Sequence, residues 1–555
     1  MLMVDVPEAD VLNAAAHDST PGLLARERTI AGPRFNRWLA PPAALAIHLS
    51  IGMAYGFSVF WLPMTKLVPG ADPATCAKLG FFAQLFTTSC NWTVPAVNHI
   101  FETFIAMLGI SAAIWGGWLE HAGPRKAGFI AALCWGGGLV LGGIGVSMHQ
   151  LWLAYLGCGL LGGIGQGLGY IAPVSTLIKW FPDRRGLATG FAIMGYGGGA
   201  MIGAPIAVAL MQKFAANGVP GVAGALICLG VIYAVAMSLG AFGFRVPPNG
   251  WRPLGWTPPE TSTNKFITHR HVHLDRAWKT PQFWLIWLVL CLNVTAGIGV
   301  ISMASPMLQD VFGGKLLGVD SSAVLSVAQK AAIAAAAAGL VGLISLFNSL
   351  GRIFWASVSD FIGRKTTYFV FFVLGIVLYC SLPSLGHMGM AGAFVAAVCV
   401  ILSMYGGGFS TVPAYLADIF GTQMVGAIHG RLLTAWSVAG IVGPILIAGV
   451  RQAQLDAGVA HNLVYDRTLY ILAALLLAGL VCNLLVRPVS EKHHMSDEEL
   501  ARERALQHEA ASTPARVQDA ARGGFGAVGV VAWVLVGVPF LIGVWIALSK
   551  AAALF

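Results

Sequence analysis

Charge is what this chain has least of. Only 10% of its 555 residues are Asp, Glu, Lys or Arg, whereas covering a soluble surface takes about 25%. A water-facing globular body is excluded, and 57% hydrophobic residues make lipid the main solvent. Cysteine is also sparse, nine in all. Seven of the nine fall in apolar runs, where thiols serve as packing groups. Cys76 and Cys90 share one polar loop and form a candidate disulfide. No Lys-Ser/Thr pair follows a glycine-rich loop, so ATP-driven chemistry lacks its phosphate cradle. Ser, His and Asp are scattered over different loops, so no enzyme activity and no cofactor are expected. The net charge of +9 is not interleaved with stacking aromatics, which argues against nucleic acid as a partner. His269-x-His271-x-His273 alternates like a metal-binding strand, but it sits in a polar loop and reads as solvated, so no metal site is expected.

Thirteen apolar stretches remain: 40–63, 93–117, 128–148, 151–178, 187–212, 219–245, 281–312, 331–358, 366–386, 388–419, 431–450, 467–487 and 524–549. Each is long enough to cross about 30 Å of hydrocarbon as a helix. They divide the chain into a loose N-terminal arm (1–39), a six-helix bundle (40–245), a Pro- and base-rich linker (246–280), a second six-helix bundle (281–487), a charged segment (488–523) and an accessory helix (524–549). Within the charged segment, Ser496 and Glu499 have the spacing of a capping box that opens a short soluble helix from Asp497 to about Gln507. Lys and Arg set the orientation. With a cytoplasmic N-terminus, 24 lie inside and 8 outside, a strong positive-inside bias.

The two bundles repeat at an offset of 240 residues. Glu120-His121-Ala122-Gly123 precedes Arg125-Lys126, and Asp360-Phe361-Ile362-Gly363 precedes Arg364-Lys365. Gly186-x-x-x-Gly190 returns as Gly426-x-x-x-Gly430, Pro173 as Pro413 and Gly203 as Gly443. Duplicated membrane bundles are the mark of secondary transporters with a site between the halves. An acid at one helix end and bases opening the next can pair when the halves meet and separate when they rock. The gate residues expected on this basis are Glu120, Arg125, Lys126, Asp360, Arg364 and Lys365.

The two loops resemble the signature loop of the major facilitator superfamily. Tyr170-Ile171-Ala172-Pro173, the run from Lys179 through Trp180, Phe181, Pro182, Asp183, Arg184, Arg185 and Gly186 to Gly190, and Gly351-Arg352-Ile353-Phe354-Trp355 resemble more narrowly the oxalate/formate antiporter family. So do Gly52 to Phe60 and Gly406 to Pro413, and the likeness spans about residues 40–487. The resemblance implies an all-α integral membrane protein of the major facilitator fold, with two six-helix bundles (12 transmembrane helices) plus a thirteenth C-terminal transmembrane helix. It implies a multi-pass protein of a bacterial inner membrane, monomeric, whose partners are the lipid bilayer and a small organic anion.

Arg352 is the most informative residue. A guanidinium inside an apolar helix is costly unless it has a function, and its planar fork suits a carboxylate. In the resembling family the matching arginine binds the carboxylate substrate; the alternative is a structural ion pair with Asp360 or another carboxylate at the gate. Dicarboxylate-binding members add a lysine in helix 11, where this chain has Trp436, and no Lys or Arg lies between Arg431 and Arg451. One cation favours a monocarboxylate. Tyr55, Tyr170, Tyr196, Tyr405, Phe409 and Trp436 are the expected aromatic lining, with Asn348 one turn before the arginine. His99 and Glu102, three apart in helix 2, are candidates for proton coupling, whereas His48 reads as structural.

The expected function is secondary active transport of a small organic anion by alternating access. A sugar or drug porter and an oxalate/formate exchanger are the alternatives. Further off is a non-transporting membrane sensor that meets partners through 246–280 or 490–511.

Overall fold

The computed structural model describes residues 22–32, 35–69, 78–248, 251–256, 266–312, 327–506 and 526–551. Among these residues there is no β-strand, only isolated bridges. Thirteen helices are long and apolar enough to cross a membrane. We number them α1 (Arg37–Met64), α2 (Val94–Ala122), α3 (Pro124–Ser147), α4 (Leu151–Trp180), α5 (Arg185–Lys213), α6 (Val222–Gly243), α7 (Pro281–Phe312), α8 (Val327–Ile362), α9 (Arg364–His387), α10 (Ala391–Phe420), α11 (Val425–Asp456), α12 (His461–Leu485) and α13 (Gly526–Ala551). In lipid, helices satisfy their own backbone groups, which is why apolar runs of this length take no other form.

The two gate loops are built alike. Gly123 ends α2 at φ 83° and Gly363 ends α8 at φ 86°. Both lie in a region of backbone space that side-chain-bearing residues rarely enter, so the equivalent glycines set the same sharp turn into α3 and α9. Close helix crossings also need glycine: a methyl at Gly186 would run into the Ala356 carbonyl, and one at Gly426 would meet Glu120 and Ser175.

The expected boundaries shift at α11. It begins at Val425 rather than 431, because the Gly426 amide at its start is held by Glu120 Oε1 at 3.1 Å. The helix is interrupted at Leu433 between its two segments.

Two segments outside the bundles are more ordered than the sequence suggests, and a third folds as expected. The end of the N-terminal arm is not loose: Arg26 donates to the Glu120 carbonyl at 2.8 Å, and Thr29 and Ala31 exchange backbone hydrogen bonds with Val246. The linker lies against α10, with Thr268 N donating to Asp418 O and Val272 N to Phe420 O. The charged segment forms a helix over Asp497–Leu506 with the expected capping box, Ser496 N to Glu499 Oε2 at 3.0 Å and Glu499 N to Ser496 Oγ at 3.2 Å. That helix docks on the linker through Arg276 and Glu499. Of the linker histidines, His273 approaches Glu503 at 3.6 Å and His271 faces the Gln423 amide. No group of three metal-ligating side chains occurs among the described residues.

Helix α13 crosses the seam between the halves. Val536 packs with Leu45 of α1 and Met194 of α5, Ala547 with Met201 of α5 and Leu346 of α8, and Trp533 donates to the Trp38 carbonyl. Cys90 is buried and disulfide-bonded; its expected partner, Cys76, lies outside the described residues.

Candidate functional site: a buried arginine between the halves

Arg352 lies ten residues before the end of α8, about 15 Å from the gate loops and so near the middle of a bilayer-sized span. It is fully buried. Its Nε donates to Asn348 Oδ1 at 3.1 Å and its Nη1 to the Ile193 carbonyl at 3.3 Å. Nη2 is buried with no hydrogen-bond partner. Among the described residues none of the gate carboxylates pairs with it: Asp360 and Asp418 pair with Arg364, Asp418 also with Arg185, and Glu120 with Lys179. Glycine makes room for the guanidinium: a methyl at Gly197 would sit 3.0 Å from Nε.

Aromatic rings enclose the arginine from both halves. The guanidinium carbon is 5.7 Å from the Tyr196 ring centre and 5.2 Å from that of Phe409, within cation–π range. Trp436 touches Phe409, Tyr170 and Tyr196 with ring centres at 4.7, 5.3 and 5.1 Å. The Tyr55 and Tyr405 hydroxyls meet across the halves at 2.9 Å. Tyr170 Oη, Tyr196 Oη and Trp436 Nε1 are buried without partners. All eight residues expected from the sequence therefore converge, and Arg352 alone among them is charged. The box offers one cation and several unused donors inside apolar walls.

The gate contacts are reciprocal. Glu120 of the first half accepts from Gly426 N at the start of α11, in the second half, and pairs with Lys179 at 2.9 Å. Asp360 of the second half accepts from Gly186 N and Leu187 N at 2.9 and 3.0 Å, at the start of α5 in the first half. Each acid thus caps the helix of the opposite half, where the amide dipoles favour a negative charge. Arg364 pairs with Asp360 at 2.7 Å and approaches Asp418 at 3.3 Å, and Asp418 reaches back to Arg185 at 3.1 Å. The halves are held together at this end.

Three expected gate bases lie outside this network. Arg125 donates to the Leu23 and Arg28 carbonyls of the N-terminal arm. Lys126 sits 5.8 Å from the Trp118 ring centre, on its own side of the loop. Lys365 caps the end of α12 through the Leu484 and Val486 carbonyls. Lys179, Arg185 and Asp418 take their places. The first two were visible in the sequence as part of the Lys179-to-Gly190 run, and Asp418 as an acid inside an apolar helix.

His99 and Glu102 pair with each other at 2.7 Å and are about 45% and 31% exposed. They sit two turns or more from Gly109, where α2 meets Ser437, and do not reach the arginine box. His48 is buried between the Ala192 and Tyr170 carbonyls. One buried residue escaped sequence reasoning: His429 on α11, discussed below.

Comparison with known proteins places this geometry. The Major Facilitator Superfamily profile matches residues 74–444 and again 326–554. The chain is 28% identical over 396 residues to the oxalate:formate antiporter of Oxalobacter formigenes, covering 70% of this chain and 82% of that one. It is 25% identical over 401 residues to apicoplast pyruvate carrier 1 of Toxoplasma gondii, covering 64% and 69%. The crystal structure of the human organic anion transporter MFSD10 (TETRAN) superposes with a TM-score of 0.56 at 13% identity, over 80% of this chain and 99% of that one, a likeness of fold alone. With two repeated bundles, reciprocal gate loops and a profile match over more than half its length, the chain belongs to the Major Facilitator Superfamily.

Proposed function

We propose that the protein carries small organic anions, monocarboxylates first, by alternating access, with the carboxylate held on Arg352. The observation that carries this reading is the fully buried Arg352 guanidinium with an unused Nη2, ringed by unused hydroxyl and indole donors. A carboxylate accepts from a guanidinium and neighbouring donors together, each charge-assisted bond contributing about 1.5–3 kcal/mol. Its charge cancels that of the arginine, which lowers the cost of an occluded, water-free intermediate. Similarity to an oxalate:formate antiporter and a pyruvate carrier supports the substrate class. Having one cation where a dianion would want two supports monocarboxylates over oxalate.

In this reading the gate-loop end faces the cytoplasm of a bacterial inner membrane, as the Lys and Arg distribution favours. Glu120 and Asp360 hold that end shut; on opening, the helix ends they cap return to water. Cys76 is the partner we assign to Cys90.

The test is counterflow in proteoliposomes loaded with unlabelled anion and offered labelled formate, acetate, lactate, pyruvate or oxalate. Wild type is expected to move at least one monocarboxylate, and Arg352→Gln to lower that uptake at least about 100-fold, the loss of two charge-assisted bonds. Uptake that survives the substitution makes Arg352 structural. Failure of every carboxylate to move brings a sugar or drug porter forward.

A further inference from the structure

We infer that His429 holds the proton that enters with the anion, making the carrier a proton-coupled one; this rests on the carboxylate reading above. His429 is 1% exposed, and neither ring nitrogen has a hydrogen-bond partner. Buried polar groups in native proteins are nearly always satisfied, so an imidazole with both nitrogens unused needs an explanation. Its ring centre is 5.9 Å from that of Tyr170, whose hydroxyl is also buried and unused. Tyr170 in turn touches Tyr196 and Trp436 of the arginine box at 5.5 and 5.3 Å.

The repeat supplies a control. The position equivalent to His429 in the first half is Thr189, and the position equivalent to Tyr170 in the second half is Ser410. Thr189 and Ser410 form a finished contact: the Thr189 hydroxyl donates to the Ser410 carbonyl at 2.6 Å. The same crossing on the other side pairs a histidine with a tyrosine and leaves both unsatisfied. The other membrane histidines singled out in the sequence differ from it, since His48 is engaged by two carbonyls and His99 by Glu102.

The surroundings explain why proton and anion would travel together. Around His429 stand His48 on α1, Glu120 on α2, which caps Gly426, and Tyr170 on α4, with Arg352 of α8 on the far side of the Tyr170–Tyr196 ring pair. Glu120 is committed to Lys179 and Gly426, and Asp418 to Arg185 and Arg364. On its own helix, Arg431 turns away to Asp275. Among the described residues of the arginine box, Arg352 is the charge without an acidic partner, and a resident cation opposes a second one in a low-dielectric site. A carboxylate on Arg352 removes that opposition, so an imidazolium forms at His429 only when the anion is aboard. By linkage the bound proton favours the anion equally. His429 lies one turn from Gly426, whose amide Glu120 caps. Opening of the gate would wet the imidazole and let the proton leave on that side.

The experiment uses the full chain in proteoliposomes containing a pH-sensitive dye, with labelled acetate, lactate and pyruvate as probes. One arm imposes about pH 6 outside and about pH 8 inside; the other measures counterflow at equal pH. Wild type should accumulate an anion under the gradient, towards a limit of about 100-fold for one-to-one coupling across two pH units, and acidify the interior as it does so. His429→Gln should lose accumulation and acidification while keeping counterflow to within a few-fold. Retained acidification in the variant overturns the proposal. So does loss of counterflow along with accumulation, which would mean a structural role. Wild-type counterflow without any response to the gradient sinks proton coupling and leaves the carboxylate reading standing. If wild type moves none of the three anions, the carboxylate reading fails and this one falls with it.

Discussion

The two halves agree at their gates and part company at the pocket. At the gates, the 240-residue offset is kept down to the hydrogen bond: Glu120 caps Gly426, Asp360 caps Gly186, and the turn glycines share one conformation. At the pocket the same offset pairs unlike residues. Arg352 corresponds to Ala112, Trp436 to Tyr196 and His429 to Thr189. If the loops gate a rocking motion, as proposed above, equivalent contacts suit them. On the carboxylate reading proposed above, a site for one small anion gains nothing from two equal sides, which fits a charge in the second half alone and aromatic walls from both.

The strongest way to break this comparison is to remove the charge that makes the pocket asymmetric, and Arg352→Gln is expected to have the largest effect, the loss of uptake given above. Next come the gates. Their symmetry is geometric but not energetic, because Asp360 holds two amides and a guanidinium while Glu120 holds one amide, a hydroxyl and an ammonium. Asp360→Asn should therefore shift the equilibrium towards the gate-open state by about 2 kcal/mol and Glu120→Gln by about 1 kcal/mol. Distance distributions between spin labels on the two loops would read both shifts. Equal effects would mean that the helix ends, rather than the charge partners, set the energy.

A smaller change sharpens the pocket side. Trp436→Lys would place a second cation in the second half, as the dicarboxylate-binding relatives in the resembling family are expected to have. Oxalate should then compete about tenfold better against a labelled monocarboxylate, equivalent to about 1.4 kcal/mol. No change in that ratio would show that the indole does not face the anion.

Much of this was legible in the sequence because membranes leave few options. Length and hydropathy gave the helices, repetition gave the loops, and one charge in an apolar run gave Arg352. What escaped were contacts whose partner is backbone. Arg125 looked like the natural mate for Glu120, yet the acid binds an amide at the start of α11, a donor that counting charges does not reveal. Lys365 was misread in the same way, since carbonyls at the end of α12 claim it. His429 has no signature in composition or spacing; only the lack of partners around a buried ring singles it out. The course of α13 over the α5–α8 seam depends on which faces meet, and its near-uniform apolarity hides that.

The smallest effect concerns what covers each gate. Over its described residues the N-terminal arm covers the first through backbone bonds and the Arg26 guanidinium on a carbonyl, with no imidazole among them. The linker covers the second with His271 set against Gly421 and Gln423. Burial, and then the guanidinium groups of Arg504 and Arg185, push the His271 pKa down to about 4. A histidine whose folded value is lowered contributes stability above its unfolded value, about 6.5, and loses it as pH falls through the folded one. Linker docking should therefore be complete above about pH 6.5 and weaken progressively towards pH 4, while the arm on the first half holds over the same window. Hydrogen exchange of residues 266–280 against 22–31 across that range would show the difference, and His271→Asn should flatten it. Parallel loosening of both segments would mean that the covers, like the gates beneath them, respond as one.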